Sequence, residues 1–197
     1  MELSLDLNKR YTYADYLTWI DDVRRELIEG FIKMLPAPCL AHAEVSKNIT
    51  WTLETAVRKN KSNCKVFYAP VNVRFPKNGE TQYDKIDTVV QPDIFVVCDP
   101  SKLDEDGCCG APDMIVEILS PSTARRDMNE KFSLYEEHGV SVYWIVHPKE
   151  KAIHVFLMQA DGKYDDGRIY ERGGKIPVHV FDGYLIDLKD IFSEIRN

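Results

Sequence analysis

The sequence lacks the features of a membrane or secreted protein. No apolar run approaches about 18 residues, the length a helix needs to span a bilayer, so we expect no transmembrane segment. The N-terminus has no basic stretch followed by an apolar one, so we expect no secretory signal. The five cysteines form no C-x-x-C pair, which argues against structural zinc. These absences predict a cytoplasmic protein whose cysteines are free thiols.

Positive charge is also scarce. The 25 Lys and Arg residues are outnumbered by 32 Asp and Glu residues, which gives a net charge of −7. Neutralisation of phosphates by basic side chains dominates charge-driven affinity for nucleic acid, so the balance excludes a protein that coats nucleic acid by charge alone. It does not exclude an enzyme that confines its basic residues to one face. The length of 197 residues predicts one domain over residues 1–197.

Two segments have strong helical periodicity. Residues 42–59 predict a helix whose buried stripe comprises Val45, Ile49, Thr52, Leu53 and Ala56. Residues 122–138 predict a second long helix, which Gly139 ends. A shorter amphipathic helix is predicted over residues 11–23, with Thr12 as its N-cap.

The remaining pattern predicts strands. Residues 26–35 favour a bent strand or a hairpin at Gly30, and further strands are predicted at 65–69, 71–75, 94–98, 114–119, 142–147 and 152–158. The helix between 114–119 and 142–147 should make those two strands parallel. Short antiparallel strands and a last helical turn at 188–195 follow. We therefore expect an α/β fold with a mixed central sheet flanked by helices and with added antiparallel C-terminal strands.

Two carboxylates accompany the apolar strands. Glu117 lies inside the run Ile115-Val116-Glu117-Ile118-Leu119, and Asp93 begins the strand that follows Pro92. A carboxylate among apolar residues is costly unless it is paired, hydrogen-bonded or bound to a cation. Two carboxylates from adjacent strands, with a backbone carbonyl such as that of Ile118, form a hard oxygen site suited to Mg²⁺ or Mn²⁺.

Lys131 is the candidate cation beside these carboxylates. It lies on the helix that follows the Glu117 strand, in register with Leu134 and Tyr135. Residues three and four apart share a helix face, so Lys131 should point at the sheet. A lysine there could position a water molecule or neutralise charge on a reacting phosphate.

A long motif carries a family resemblance. Pro92-Asp93 is followed by Pro112-Asp113-x3-Glu117-x2-Ser120-Pro121-Ser122-Thr123, with Asp127, Lys131, Tyr135 and Tyr143-Trp144 beyond it. This motif and the block ELIEGFIKMLPAPCLAHAEV resemble the Uma family of restriction-endonuclease-like domains over residues 11–158. The family is similar to nucleases of the PD-(D/E)XK superfamily.

The resemblance implies a restriction-endonuclease-like fold and a set of site residues. Pro92-Asp93 matches the PD of the superfamily motif, and Glu117 matches its (D/E). The lysine expected two residues after the glutamate is absent, because position 119 is Leu, and Lys131 on the following helix matches the position to which the family moves it. The resemblance thus implies Asp93, Glu117 and Lys131 as catalytic residues, with Asp93, Glu117 and Ile118 as metal ligands.

Other interpretations of these residues stay open. Asp93 could cap the turn after Pro92, Glu117 could pair with a basic residue without metal, and Lys131 could pair with Asp127 on the helix surface. Asp113 also follows a proline, but the superfamily takes its two acids from different strands, which favours Asp93.

Four residues could support the metal ligands or contact substrate: Glu26, Glu29, His42 and Asp113. Glu26 and Glu29 could equally be solvated strand residues. His42 opens a helix, where it could contact a phosphate or make a structural hydrogen bond.

Two functional hypotheses follow. The first is a Mg²⁺- or Mn²⁺-dependent phosphodiesterase that cleaves DNA by attack of water on phosphorus. The second is a catalytically silent protein that uses the same fold to bind nucleic acid or a protein partner. Homodimerisation is an expectation from the resemblance to nucleases alone.

Overall fold

The computed structural model describes residues 5–120, 124–171, 173–181 and 183–192, and the side chains of 121–128 are outside it. The described helices are α1 (Tyr13–Tyr16), α2 (Leu40–Lys59), α3 (Ala124–Glu137) and α4 (Leu188–Ile191). The strands are β1 (Arg25–Ile28), β2 (Phe31–Met34), β3 (Lys65–Tyr68), β4 (Val73–Arg74), β5 (Val89–Val90), β6 (Ile94–Val97), β7 (Leu103–Asp104), β8 (Gly107–Cys109), β9 (Met114–Ile118), β10 (Val142–His147), β11 (Ala152–Leu157), β12 (Arg168–Tyr170), β13 (Lys175–Pro177) and β14 (Leu185–Asp187).

The central sheet has the order β12-β11-β10-β9-β6-β3. Its strands β9 and β10 are parallel, whereas β6 pairs antiparallel with both β9 and β3. Helix α3 forms the connection between β9 and β10. The predicted parallel pair and the mixed α/β sheet are therefore confirmed.

Helix α2 covers one face of the central sheet. Its buried residues are the five that its periodicity predicts: Val45, Ile49, Thr52, Leu53 and Ala56. They pack with alternate residues of the central strands, such as Val116 and Trp144. The predicted C-terminal antiparallel pair is also present as β13 and β14, and it packs with α4 on this same face.

A second sheet, which the sequence does not predict, covers the opposite face. Its order is β2-β1-β5-β4-β8-β7. Residues of this sheet such as Ile28 and Val73 pack against Phe95 and Ile115 of the central sheet, and Tyr135 of α3 completes the layer. The strands of this sheet are short, at two to four residues each, so their periodicity is too weak to reveal a sheet.

The N-terminal hairpin opens this second sheet. Strands β1 and β2 pair antiparallel, and Glu29 and Gly30 form the turn with φ values of 50° and 83°. A Cβ at Gly30 would lie 3.1 Å from the carbonyl oxygen of Tyr11. Both the positive φ of residue 30 and the close approach of Tyr11 therefore favour glycine. The prediction of a hairpin at this glycine is confirmed.

Helix α1 is shorter than the prediction of residues 11–23. Thr12 caps it, and its hydroxyl accepts a hydrogen bond from the N–H of Asp15, as the sequence predicts. The helix ends at Tyr16 because the residues beyond pack as a loop, in which Trp19 contacts the rings of Tyr11 and Tyr16. Within the described ranges, no helix is long and apolar enough to cross a membrane.

The expectation of five free thiols is wrong for two of them. Cys64 and Cys98 form a disulfide between the start of β3 and the end of β6. The antiparallel register pairs Lys65 with Val97, so it brings the two cysteines opposite each other across the ladder. Linear spacing could not reveal this pair, because the cysteines meet only through strand pairing. Cys39, Cys108 and Cys109 are free.

We predict that Cys98→Ser lowers the free energy of unfolding by about 2–4 kcal/mol, because it opens a covalent loop with a sequence separation of 34 residues. Denaturant unfolding under non-reducing conditions measures the loss. Cys39→Ser, which removes an exposed free thiol, is the control and should change stability by no more than about 0.5 kcal/mol. Equal stability of the two variants would contradict the prediction.

Candidate active site

Glu117 is buried between the two sheets. It lies in β9 with 3% of its surface exposed. The ammonium group of Lys131 donates a hydrogen bond to its Oε1 over 2.7 Å, and the hydroxyl of Tyr135 donates to the same oxygen over 2.6 Å. Two donors on α3 thus hold the carboxylate that interrupts the apolar strand.

Lys131 bridges two carboxylates. It is 1% exposed, so the alternative of a helix-surface residue is wrong. Its Nζ also donates to Oε1 of Glu26 over 2.8 Å. Glu26 is fully buried in β1, and the same oxygen accepts from the N–H of Gln91 over 2.9 Å. The alternative of a solvated Glu26 is therefore wrong as well.

Glu26 and Glu117 share one ammonium group. Both carboxylates are buried, and Nζ of Lys131 contacts Oε1 of each. Among the described residues, Oε2 of Glu26 has no hydrogen-bond partner. A buried carboxylate oxygen without a partner is expensive, so a proton or a cation near Glu26 would stabilise it.

Tyr135 is held as a hydrogen-bond donor. Burial raises the pKa of its phenol well above the usual value, and the nearby charge of Glu117 raises it further. The hydroxyl thus keeps its proton at neutral pH and donates a hydrogen bond to Glu117.

Asp93 lies near Glu117 where the start of β6 meets the end of β9, inside the sheet. The antiparallel register pairs Ile94 with Val116, and its continuation places Asp93 opposite Glu117. Its Oδ2 accepts a hydrogen bond from the N–H of Ile118 over 2.7 Å. Asp93 thus ties the start of β6 to β9, and it does more than cap its own turn.

His42 contacts Asp93 from the first turns of α2. Its Nε2 lies 3.0 Å from Oδ2 of Asp93, so the structural hydrogen bond that the sequence allows is present. In the described part of the chain, the other carboxylate oxygen of Asp93, Oδ1, makes no hydrogen bond.

Two further candidates lie away from this cluster. Glu29 is exposed in the turn between β1 and β2. Asp113 directly precedes the first residue of β9, at the end of the strand away from Glu117 and Ile118. Its carboxylate accepts a hydrogen bond from the N–H of Cys98 over 2.7 Å. The structure therefore brings together Asp93, Glu117 and Lys131 with Glu26 and His42, and it leaves out Glu29 and Asp113.

The donor set fits a hard divalent cation in part. Asp93 offers Oδ1, and Glu117 and the carbonyl of Ile118 are the neighbouring oxygen donors. No group of three or more His, Cys, Asp and Glu side chains suited to a metal occurs within the described ranges. Mg²⁺ is commonly held by one or two carboxylates and keeps several waters, so a smaller protein set is compatible with it.

Asp93 also opens onto a cleft of about 530 Å³. One wall is the exposed side of α2 and the other is formed by Arg24 and by the end of β3. The residues that line it include His42, Lys47, Trp51, Glu54, Tyr68 and Asp93. Sequence reasoning missed Arg24, Trp51 and Tyr68 as site residues. One signal was available for Trp51, because it lies outside the buried stripe of α2.

The mixed central sheet thus holds Glu117 in β9 beside the buried Lys131, with Asp93 directly before the neighbouring β6. The comparisons with known proteins assign the chain to a class. The chain belongs to the Uma2 family, described as "Putative restriction endonuclease", whose profile matches residues 13–189. This match confirms the family resemblance.

The fold is also that of a solved structure. A crystal structure of a "putative nuclease belonging to DUF820" from Anabaena variabilis superposes with a TM-score of 0.72 at 23% sequence identity. The similarity covers 93% of this chain and 98% of that one. A comparison with curated proteins finds no match. At this identity the crystal structure supports the shared fold alone.

We predict that Lys131→Met lowers the free energy of unfolding by about 3–5 kcal/mol, because it removes the ammonium group that two buried carboxylates contact. Adding Glu26→Gln should restore part of the loss, since one uncompensated charge is then removed. Denaturant unfolding measures both changes. The control is Lys163→Met, which breaks an exposed pair with Glu136 and should change stability little. If Lys131→Met behaved like this control, the buried bridge would be refuted.

Proposed function

We propose that the chain is a Mg²⁺- or Mn²⁺-dependent phosphodiesterase that cleaves DNA. One observation carries the proposal: the register of β6 and β9, continued by one residue, sets Asp93 opposite the buried Glu117. Asp93 lines the cleft, and Lys131 is bonded to Glu117. Membership of a family described as "Putative restriction endonuclease" supports the same class of reaction.

Asp93, Glu117 and the carbonyl oxygen of Ile118 would hold the metal. When bound, such an ion lowers the pKa of a coordinated water molecule and neutralises charge on the phosphate. The protein's own contribution is orientation. His42 and the N–H of Ile118 fix the carboxylate of Asp93 through its Oδ2, which leaves Oδ1 for the cation.

Lys131 fits a positioning role better than direct contact with substrate. Its ammonium is buried and donates to Glu26 and Glu117. It fixes the rotamer of Glu117 and lowers the cost of keeping that carboxylate ionised next to Asp93. This assignment refines the expectation that Lys131 touches the water molecule or the phosphate.

A catalytically silent protein that binds nucleic acid or a protein partner is the second candidate. The observation that favours it is the double engagement of Oε1 of Glu117 by Lys131 and Tyr135, which satisfies much of that carboxylate without metal. Metal binding separates the two candidates. A cytoplasmic location and a homodimer stay predictions.

We predict that the wild-type protein binds Mn²⁺ in calorimetry and nicks supercoiled plasmid DNA in its presence. Glu117→Gln and Asp93→Asn should each weaken metal binding by at least about 10-fold, because a carboxylate ligand is lost. Nicking should fall by about 100-fold or more.

Asp113→Asn is the matched control, because it alters the second Pro-Asp pair at the other end of β9. It should retain both metal binding and nicking. Absence of metal binding by the wild type at millimolar Mn²⁺ would refute the phosphodiesterase and favour the silent protein.

A further inference from the structure

Two large aromatic side chains are exposed in the cleft beside Asp93. Trp51 on α2 is 73% exposed, and Tyr68 at the end of β3 is 61% exposed. One ring comes from each wall of the cleft. Neither ring belongs to the hydrophobic core, so their apolar surfaces are free to contact a ligand. The reaction proposed at Asp93 and Glu117 uses neither of them.

Basic groups accompany these rings. Arg24 and Lys47 line the same cleft, Lys47 one helical turn before Trp51 on α2. Arg24 donates through Nε to the side chain of Gln91, which orients the guanidinium group at the wall. Cations beside aromatic rings in a groove are the combination that binds single-stranded nucleic acid, the cations at the backbone and the rings on the bases.

The cleft is suited to unpaired bases and poorly suited to an intact duplex. In a duplex, the faces of the bases are covered by their stacked neighbours. The rings of Trp51 and Tyr68 would then find no free base face on which to stack. Duplex binding also depends on many phosphate contacts, whereas this cleft offers Arg24 and Lys47 together with the carboxylates of Glu54 and Asp93. The whole chain has a net charge of −7. Unstacked bases gain from the aromatic rings and need fewer phosphate contacts.

We infer that Trp51 and Tyr68 form a stacking platform for unpaired DNA bases next to the scissile phosphate, so the substrate is single-stranded or locally unpaired DNA. The inference rests on the proposed function for the position of the reacting phosphate. Trp51 follows His42 by nine residues, about 13 Å along the helix axis. The stacked bases are therefore neighbours of the nucleotide that reacts at Asp93.

Binding of a fluorescein-labelled oligothymidine tests the platform without any cleavage. Fluorescence anisotropy in EDTA, where no metal is present, compares the oligothymidine with a duplex of equal length. Wild-type protein should bind the single strand more tightly than the duplex. Its tryptophan fluorescence should also be quenched, because stacking on a base quenches the emission of an exposed indole.

Variants assign this binding to the platform. Trp51→Ala and Tyr68→Ala should each weaken it by roughly 5-fold to 100-fold, the range expected when one stacking ring is removed. Trp51→Phe should keep most of the affinity but lose the quenching. Ile169→Ala is the control and should bind like wild type, because Ile169 is also 61% exposed but lies on β12, the opposite edge of the central sheet.

The outcomes separate this inference from the proposed nuclease. Glu117→Gln should bind the single strand like wild type, so loss of nicking in that variant leaves the platform intact. Unchanged affinity in Trp51→Ala, tighter binding of the duplex, or no binding at about 100 µM protein, the weak end of non-specific affinity, would each overturn the inference. Tight binding of the duplex that depends on Trp51 would instead indicate a wedge between stacked bases.

Discussion

The buried ammonium of Lys131 joins three elements, one of which, β1, is 105 residues away in sequence. It contacts Glu26 on β1 and Glu117 on β9 from its own place on α3. Because β1 belongs to the second sheet and β9 to the central one, the bridge fixes how the two sheets and the helix pack around it. Apolar residues such as Phe95 and Ile115 pack in the same layer, so breaking the bridge would leave buried charges in apolar surroundings.

The same bridge gives the site its chemical character. A fold that needed only stability would fill these positions with apolar residues, since replacing a buried ion cluster by hydrophobic side chains is often neutral or stabilising. Among the described residues, Oε2 of Glu26 has no hydrogen-bond partner, which is a cost that an apolar residue would avoid. Departures from the apolar pattern of this kind are expected at functional sites.

Much of the central layer could be predicted from the sequence, because its signals are local. The stripe of α2 follows from helical periodicity, and β10 has the predicted bounds of Val142–His147. Glu117 stands out as a charge inside an apolar strand, and the spacing of Lys131 to Tyr135 places the lysine on the inward face. In each of these cases a few neighbouring residues carry the information.

The rest depends on contacts between distant segments. Glu26 has no local sign that it is buried, because the sheet that buries it consists of short strands. The bond between His42 and Asp93 spans 51 residues, and the disulfide between Cys64 and Cys98 arises from strand register. Trp51 and Tyr68 share a cleft only because α2 packs beside β3. Periodicity cannot reveal such pairs.

The central claim is that Asp93 and Glu117 together form a divalent cation site. A crystal grown with Mn²⁺ and measured for anomalous scattering tests this claim most directly. We expect an anomalous peak bonded to Asp93, Glu117 and the carbonyl oxygen of Ile118, with Lys131 still bonded to Glu117. A crystal without a peak there at millimolar Mn²⁺, or with Mn²⁺ bound only elsewhere on the chain, would contradict the claim.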